Sequence, residues 1–298
     1  MLSAPRFERL AVLGLGLLGG SVAWAARERR VAGEVVGCGR HGDSLRSALA
    51  KGLVDRVALE PAAAVEGADL VVLATPVGAM PERLRAASPG LRAGALVTDV
   101  GSVKAPLAET LPGLLPPGAV YVGAHPMAGS HERGADHARA DLFEGAVCVV
   151  TETPSVPAAA LARVESFWRA LGARTVRRDP AAHDREVAWM SHVPHAVAFA
   201  FARALGEAPD GAREVAGPGF RDFTRIARSD PELWAEILVA NGKALAGPLA
   251  RVGERLSELA RAVEAGDADA ATRLLGEART NLDISPDPGA KTRKSGRA

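Results

Sequence analysis

The feature that most constrains this chain is a glycine-rich turn near its start, Gly14-Leu15-Gly16-Leu17-Leu18-Gly19. It has the spacing G-x-G-x-x-G and lies between a predicted strand and a predicted helix, which is the context that this motif requires. There Gly14 is expected to permit the tight turn, Gly16 to let a pyrophosphate approach the backbone, and Gly19 to let the helix pack closely on the strand. The turn therefore predicts a dinucleotide site at a helix N-terminus.

Other positions near this turn are expected to contact the dinucleotide. The backbone N–H groups of Leu17 and Leu18 lie in the first helical turn, where they have no intrahelical partner. The hydroxyl of Ser21 is expected to donate to a phosphate oxygen. Thr75 and Pro76 follow a later apolar run, and cofactor clefts open at the carboxyl ends of parallel strands.

The end of the second predicted strand bears on the choice between NAD and NADP. It has no acidic residue of the kind that accepts a hydrogen bond from the ribose 2′-OH of NAD. Gly39 leaves room there, and Arg40 is placed to pair with a 2′-phosphate, so NADP is favoured over NAD. Two alternatives stay open: Asp43 can serve an NAD ribose, and Arg40 can be a solvated loop charge.

The first half of the chain alternates short apolar runs with helical segments. Apolar runs without polar alternation predict strands that are covered on both faces. This pattern predicts an α/β, Rossmann-type, doubly wound domain. The predicted strands are Leu10–Leu13, Glu34–Cys38, Leu70–Ala74, Ala95–Asp99, Tyr121–Ala124, Ala146–Thr151 and Ala173–Val176.

The pattern changes after Thr151, where Pro and Ser predict a turn or linker. From Asp179 onward the sequence is almost entirely helical, and Asp179 and Asp230 each precede a proline as helix N-caps. We therefore expect a dinucleotide-binding Rossmann domain at 1–154, an all-α domain at 155–284 and a disordered tail at 285–298, which is rich in Pro, Gly, Ser and Lys.

Composition narrows the class of protein. The net charge of +1 over 298 residues gives no electrostatic reason to expect nucleic acid or a membrane surface as a partner. No apolar run is long enough to span a bilayer, and Glu8 and Arg9 lie where the apolar part of a signal peptide would begin, so a cytoplasmic location is expected. Cys38 and Cys148 lie in apolar runs and predict two buried thiols, and no metal-ligand spacing is present.

A second group of residues follows the later strands and is expected to face the same cleft. His125 lies at a strand end, and Ser102 is placed to hydrogen-bond one of its ring nitrogens and fix its tautomer. A histidine in a loop is more commonly a surface or structural residue. Its position beside the glycine turn favours a catalytic role.

The helical half contributes three more candidates, Ser191, His192 and His195. The two histidines are three residues apart and share a helix face. Such a pair can also bind a metal ion, but no third ligand accompanies it with suitable spacing, so we predict no metal site. Arg225 is a further candidate, either as an anion receptor or as an ion-pair partner of Asp184 or Asp222.

Taken together, these stretches resemble the prephenate/arogenate dehydrogenase family of tyrosine biosynthesis. The resemblance covers about residues 8 to 282, and the order of the motifs H-P-M-A-G, S-H-x-P-H and D-F-T-R is specific. The matching stretches are Gly14–Ser21, Asp99–Lys104, Gly123–Ser130, Ser191–Ala198, Gly219–Arg225 and Ser229–Trp234.

The resemblance implies an NAD(P)-dependent oxidative decarboxylation. It implies that His125 takes the proton of the substrate 4-hydroxyl as hydride leaves, that Ser102 orients His125 near the nicotinamide, and that Arg225 binds the ring carboxylate. The remaining pocket residues that it implies are Ser130, Ser191, His192 and His195.

The resemblance also implies a homodimer formed through the helical domain, in which Arg221 or Trp234 can reach the partner's site. Because Ser130 is followed by His131, where many relatives have Glu, no acid favours the ammonium group of arogenate, and prephenate is the favoured substrate. The alternatives are an arogenate or dual-specificity cyclohexadienyl dehydrogenase. No further regulatory domain is expected, so any inhibition by tyrosine is expected at the active site.

Two more distant readings differ in class. A 3-hydroxyacid dehydrogenase has the same architecture but needs a catalytic lysine on the helical domain, where Lys243 lacks suitable surroundings. A redox-sensing NADP-binding protein needs no catalytic groups, and the presence of His125, Ser102 and Arg225 argues against it. Substrate-dependent production of NADPH separates both from the main prediction.

Overall fold

A computed structural model describes residues 7–129, 132 and 134–283. The strands are β1 (Phe7–Leu13), β2 (Ala32–Cys38), β3 (Arg56–Ala58), β4 (Leu70–Leu73), β5 (Leu96–Asp99), β6 (Val120–Tyr121), β7 (Ala124–Pro126), β8 (Val147–Thr151) and β9 (Arg174–Arg178). The helices are α1 (Leu17–Glu28), α2 (Gly42–Ala50), α3 (Pro61–Val65), α4 (Met80–Ala87), α5 (Ala105–Thr110), α6 (Ala158–Ala170), α7 (Pro180–Val187), α8 (Val193–Ala204), α9 (Pro218–Thr224), α10 (Pro231–Ala240), α11 (Gly242–Glu264) and α12 (Ala268–Asp283).

The first six strands form one parallel sheet in the order β3-β2-β1-β4-β5-β6. Its central strands are buried on both faces, because Leu10 and Val12 of β1 pack into one apolar cluster while Ala11 and Leu13 pack into another. The uninterrupted apolar runs therefore arise from two-sided burial, as predicted. The predicted α/β Rossmann-type domain followed by helices is confirmed.

The strand that was predicted at Tyr121–Ala124 is divided between two sheets. Tyr121 ends β6 in the main sheet, whereas Ala124 begins β7, which pairs antiparallel with β8 in a second sheet of order β7-β8-β9. The chain leaves the main sheet because the N–H of Ala124 donates to the Asp99 carboxylate at 3.0 Å. The short strand β3 was not predicted, since its three residues carry little pattern.

The segment after β8 stays with the second sheet. Helix α6 crosses over and returns the chain as β9, which pairs parallel with β8 and forms the predicted edge strand. A boundary between residues 154 and 155 falls within this β8–α6–β9 unit, and the exact domain boundary stays a prediction. Two compact units divide the chain at residues 245 and 246.

The helical segments begin where the sequence predicts. The Asp179 carboxylate accepts hydrogen bonds from Ala181 and Ala182 at the start of α7, and Asp230 accepts from Leu233 at the start of α10. Between α7 and α8 the residues Ala188–His192 form a π-helical turn. The second compact unit contains the remainder of α11 together with α12.

Two expectations from composition can be compared with the structure. Cys38 and Cys148 are both buried free thiols, as predicted. None of the helices within the described ranges is long and apolar enough to cross a membrane. The tail predicted at 285–298 lies outside the described residues.

Candidate active site

The glycine-rich turn forms a cradle in which two of the three glycines have no room for a side chain. Gly14 has a φ of +109°, and a Cβ there would lie 2.6 Å from the carbonyl oxygen of Ala74. A Cβ on Gly19 would lie 1.8 Å from the carbonyl oxygen of Gly14, so strand β1 and helix α1 pack as closely as predicted. A Cβ on Gly16 would meet nothing within 4 Å. The space above Gly16 is therefore open to a ligand.

The start of α1 supplies donors to this open space. Gly16 is the N-cap and makes no side-chain cap hydrogen bond, and the N–H groups of Leu17 and Leu18 lie in the first turn, where no intrahelical acceptor exists. The helix dipole adds partial positive charge at this end. These residues fit the pyrophosphate of a dinucleotide, which the N–H groups would hold through hydrogen bonds.

Ser21 differs from its predicted role. Its hydroxyl is fully buried, donates to the carbonyl oxygen of Leu17 at 2.7 Å and accepts from the N–H of Arg139 at 2.9 Å. Its one hydrogen is therefore committed within the protein, and it ties α1 to the loop before β8 instead of donating to a phosphate.

Thr75 lies beside the cradle and Pro76 follows it in the chain, and their contact with the dinucleotide stays a prediction. A Cβ on Gly14 would lie 3.0 Å from the backbone nitrogen of Thr75. The hydroxyl oxygen of Thr75 is buried without a hydrogen-bond partner among the described residues. The next turn is fixed to the helical half, because Glu236 of α10 accepts a hydrogen bond from the N–H of Gly78.

Arg40 and Asp43 lie in the exposed loop and helix that follow β2. Asp43 forms an ion pair with Arg46 on the protein surface. Arg40 makes no ion pair within the part of the chain that the structure describes, so its guanidinium is available to a ligand.

His125 lies on β7, opposite Val149 of β8, and only 8% of its surface is exposed. Its Nδ1 lies 2.8 Å from Nε2 of His183, so the partner of the ring is His183 and not Ser102. Ser102 is half-buried, and its hydroxyl makes no hydrogen bond to any described residue. The predicted hydrogen bond between Ser102 and His125 is thus replaced by one from α7, which the sequence did not reveal.

His183 is itself held by its neighbour. Its Nδ1 lies 2.8 Å from the Asp184 carboxylate, which also accepts hydrogen bonds from the backbone N–H groups of Lys104 and Ala105 at 2.8 Å. His183 and Asp184 are both buried. The available sequence signal was an adjacent His and Asp in a capped helix, which alone does not identify a partner.

A buried ion pair fixes the backbone just before His125. Lys104 and Asp99 are both fully buried and in contact with each other. Asp99 accepts from the N–H of Ala124, and Lys104 donates to the carbonyl oxygen of the same residue at 2.7 Å. Asp99 also accepts from the hydroxyl of Tyr121 at 2.9 Å. Both polar groups of the Ala124 backbone are thereby held.

The electrostatic environment keeps His125 neutral. Burial lowers the pKa of His125 well below its ordinary value of 6.5, and unfavourable electrostatic interactions of its protonated form with His183, Lys104 and His192 lower that pKa further. A neutral imidazole is the form that accepts a proton, so His125 is suited to general-base catalysis near neutral pH.

His192 lies in the π-helical turn and is fully buried. The side-chain nitrogen of Asn241 lies 2.9 Å from both Nδ1 of His192 and the carbonyl oxygen of Asp184. Burial lowers the pKa of His192 to about 4. Its Nε2 is buried without a hydrogen-bond partner among the described residues, which leaves one polar group for a ligand. The sequence did not point to Asn241.

His195 and Arg225 lie close together. His195 donates from Nδ1 to the carbonyl oxygen of Ser191 at 2.9 Å and stacks on Trp234, with ring centroids 3.6 Å apart. Burial lowers the pKa of His195, and the charge of Arg225 lowers that pKa further. Trp234 therefore contacts the pocket residues of its own chain.

Arg225 is exposed, and within the described ranges it makes no ion pair with Asp184 or Asp222. The alternative role of Arg225 as an ion-pair partner of Asp184 or Asp222 is therefore not observed, and the charge of its guanidinium is available to an anion. Arg221 is also exposed and donates to the carbonyl oxygen of Ala216.

Three remaining positions are Ser130, His131 and Lys243. Ser130 and His131 lie outside the described residues. Lys243 is exposed. Among the described side chains no cluster of three His, Cys, Asp or Glu residues is arranged to hold a metal ion.

Comparison with known proteins identifies the family of this chain. A family model described as "Prephenate dehydrogenase, nucleotide-binding domain" matches residues 22–177, and one described as "Prephenate dehydrogenase, dimerization domain" matches residues 179–277. The chain belongs to the prephenate dehydrogenase family. The predicted resemblance is confirmed, and with it the assignment as an NAD(P)-linked oxidoreductase.

Relatives and solved structures of this family match over most of the chain. Cyclohexadienyl dehydrogenase of Zymomonas mobilis is 32% identical over 88% of this chain and 91% of its own. Prephenate dehydrogenase from A. aeolicus, crystallised with hydroxyphenyl propionate and NAD+, is 28% identical and superposes with a TM-score of 0.85 over 93% of this chain and 98% of its own. Arogenate dehydrogenase of Synechocystis is 32% identical, with a TM-score of 0.77 over 92% and 99% of the two chains.

Proposed function

We propose that this chain catalyses the NAD(P)-dependent oxidative decarboxylation of prephenate to 4-hydroxyphenylpyruvate. The observation that carries the proposal is the state of His125, which is a buried neutral base whose Nδ1 is hydrogen-bonded to His183. Its Nε2 makes no hydrogen bond to the described residues and is available to a substrate hydroxyl. Membership of the prephenate dehydrogenase family supplies the reaction class.

The residues divide the chemistry between them. The residues of the glycine cradle would hold the dinucleotide, which would supply the acceptor for the hydride that leaves C4 of the ring. His125 takes the proton of the 4-hydroxyl through Nε2 as that hydride leaves, a role that is worth about 10²–10⁴ in rate. When CO2 departs from C1, the electron pair of the broken bond completes the aromatic ring, and the phenolate oxygen takes the proton back.

Arg225 is proposed to bind the ring carboxylate. Its guanidinium is exposed and lies near His195, whose pKa its charge lowers. The carboxylate loses its charge as CO2 leaves, and a contact that holds the anion more strongly than the transition state cannot accelerate that step. Arg225 is therefore a binding and orienting group. Ser191, His192 and His195 are proposed to line the pocket, and Ser102 to lie near the nicotinamide.

The test is to measure initial rates at 340 nm with purified protein, crossing prephenate and arogenate with NAD and NADP. Turnover of prephenate is expected, with a higher kcat/KM than for arogenate because His131 stands where many relatives have an acid. A kcat/KM that favours arogenate would contradict the preference. No turnover in any of the four combinations, with the dinucleotide bound, would contradict the function itself.

The cofactor is proposed to be NADP in preference to NAD. Among the described residues Arg40, in the loop after β2, makes no ion pair, whereas the nearby Asp43 is paired with Arg46. Arg40→Ala is expected to raise the KM for NADP about 10-fold or more, as for loss of a charged hydrogen bond, with little change for NAD. An equal effect on both would remove the argument.

The assembly is proposed to be a homodimer formed through the helical part of the chain. The family model over residues 179–277 is described as a dimerization domain. Large apolar side chains are exposed there, which is typical of surfaces that become buried between subunits. They include Met190, Val215, Val239, Val263 and Leu275. The cytoplasmic location and any contribution of Arg221 or Trp234 to a partner's site stay predictions.

A further inference from the structure

The geometry points to His183, oriented by Asp184, as the positioning residue that fixes the proton of His125 on Nδ1 and leaves the lone pair of Nε2 for the substrate hydroxyl. This inference rests on the proposed function, because it assigns the origin of the base's orientation. It concerns a hydrogen-bonded chain of three buried side chains on α7 and β7.

The Asp184 carboxylate determines which atom donates in each hydrogen bond that links Asp184, His183 and His125. Each of its oxygens accepts a backbone N–H, one from Lys104 and one from Ala105, both at 2.8 Å. Two such donors stabilise the ionised carboxylate, which can only accept hydrogen bonds. The contact at 2.8 Å between Asp184 and Nδ1 of His183 must therefore be made by an N–H on His183.

The proton position on His183 then determines the proton position on His125. In its neutral form, with the proton on Nδ1, His183 would present a lone pair at Nε2, which lies 2.8 Å from Nδ1 of His125. That contact is a hydrogen bond only if Nδ1 of His125 carries the proton. A neutral His125 with its proton on Nδ1 has its lone pair on Nε2. The base is thus aligned by an imidazole, with a carboxylate behind it.

The groups around His125 leave His183 as the ring that can hydrogen-bond to it. The charged and titratable groups around His125 come from three other segments: Lys104 and Asp99 from the segment at the end of β5, His183 and Asp184 from α7, and His192 from the π-helical turn. Lys104 is neutralised by Asp99. Of the ring nitrogens near His125, only Nε2 of His183 lies within hydrogen-bond distance of it in the described structure.

The test compares three variants of the full-length protein. His183→Leu removes the acceptor, and His183→Gln replaces Nε2 with an amide oxygen at nearly the same reach. Val187→Ala, at a buried position on the same helix, is the control for lost packing. The tautomer of His125 is measured by 15N NMR of histidine-labelled protein without substrate, with His125→Asn to assign the signal. Steady-state kinetics with prephenate and cofactor follow.

The wild type is expected to show His125 protonated on Nδ1 only, and Val187→Ala is expected to keep that tautomer with kcat changed by less than about 3-fold. His183→Leu is expected to show a mixture of tautomers and a kcat reduced by about 10²-fold or more, by analogy with the loss of the orienting group of a catalytic triad. KM should change little, and His183→Gln should recover most of the lost kcat. If the leucine variant does not fold, His183→Asn, whose amide is too short to reach His125, takes its place.

A wild-type His125 protonated on Nε2, or an unchanged tautomer in His183→Leu, would overturn the inference. So would a loss of kcat in Val187→Ala equal to that in His183→Leu. Because the tautomer is read without substrate, it decides this inference even if the protein turns over neither prephenate nor arogenate, so a failure of the proposed function is recognised separately.

Discussion

At the scale of single residues, the site shows how burial prepares a base. His125 is surrounded by protein and by groups that carry or can acquire positive charge, and both effects disfavour its protonated form. A histidine in water titrates near pH 6.5 and is partly protonated at the lower end of the physiological range. His125 instead keeps its lone pair under mildly acid conditions.

The first prediction concerns the pH dependence of kcat/KM, which reports the groups of the free enzyme. A base must be deprotonated, so activity is lost as pH falls through its pKa. Because the pKa of His125 is lowered well below 6.5, the acid limb of the profile is expected at a pH below 6.5. A limb centred at or above 6.5 would contradict the assignment, and His125→Asn should lack the limb.

The second prediction separates binding from chemistry. Arg225→Ala is expected to raise the KM for prephenate about 10- to 100-fold, the value of one or two charged hydrogen bonds, and to lower kcat less than about 5-fold. His125→Asn should do the reverse and lower kcat about 10²–10⁴-fold. Arg228→Ala, an exposed arginine in the same turn, is the matched control and should change neither. The opposite split would rule out both roles.

At the scale of elements, the turn from β1 to α1 assigns different tasks to neighbouring glycines. Gly14 has a positive φ and touches the backbone of the loop after β4, whereas Gly16 faces open space. One glycine is needed by the fold and the other by the ligand. The sequence motif contains both glycines but does not show which one the fold requires and which one the ligand requires.

The third prediction uses that difference. Gly14→Ala is expected to destabilise the fold by about 2 kcal/mol or more, because the new methyl group lies 2.6 Å from a carbonyl oxygen and the backbone is left-handed. Gly16→Ala is expected to change stability by less than about 1 kcal/mol but to weaken dinucleotide binding at least 10-fold. Urea unfolding and fluorescence titration with the dinucleotide measure the two effects. Equal losses of stability would contradict the distinction.

Strands and helix starts that depend on residues close together in the sequence were predictable. The central strands follow from two-sided burial, and the caps of α7 and α10 follow from an aspartate before a proline. The break between β6 and β7 was not predictable, because it depends on Asp99, which lies 25 residues from Ala124. The partner of His125 was missed for the same reason, since His183 is 58 residues away.

At the scale of the whole molecule, three buried or half-buried histidines link folding stability to pH. His125, His192 and His195 all have pKa values lowered by burial. Each is free to gain a proton near pH 6.5 in the unfolded chain but resists protonation in the folded one. The unfolded state therefore binds more protons between those two pKa values, and stability falls as pH falls through that window.

The fourth prediction follows from this linkage. The free energy of unfolding is expected to be largest above pH 6.5 and to decrease steadily towards pH 4. His192 alone, with a pKa of about 4 in the folded protein, accounts for roughly 2–3 kcal/mol. Urea unfolding at pH 7, 5.5 and 4 measures the decrease, and His192→Gln should flatten it. A stability that is constant over this range would show that folding does not lower the pKa values of these histidines.

The fully buried pair of Asp99 and Lys104 has a consequence for how this protein can change over generations. Replacing either residue alone strands a charge in the interior, at a cost of about 3–5 kcal/mol, which is a large share of the stability of an ordinary domain. Replacing both with apolar residues leaves no unpaired charge, but it takes the hydrogen-bond partners away from the Ala124 backbone and from the Tyr121 hydroxyl, which are buried groups. Single and joint losses are therefore both costly, and descendants of this chain are expected to inherit the two residues together.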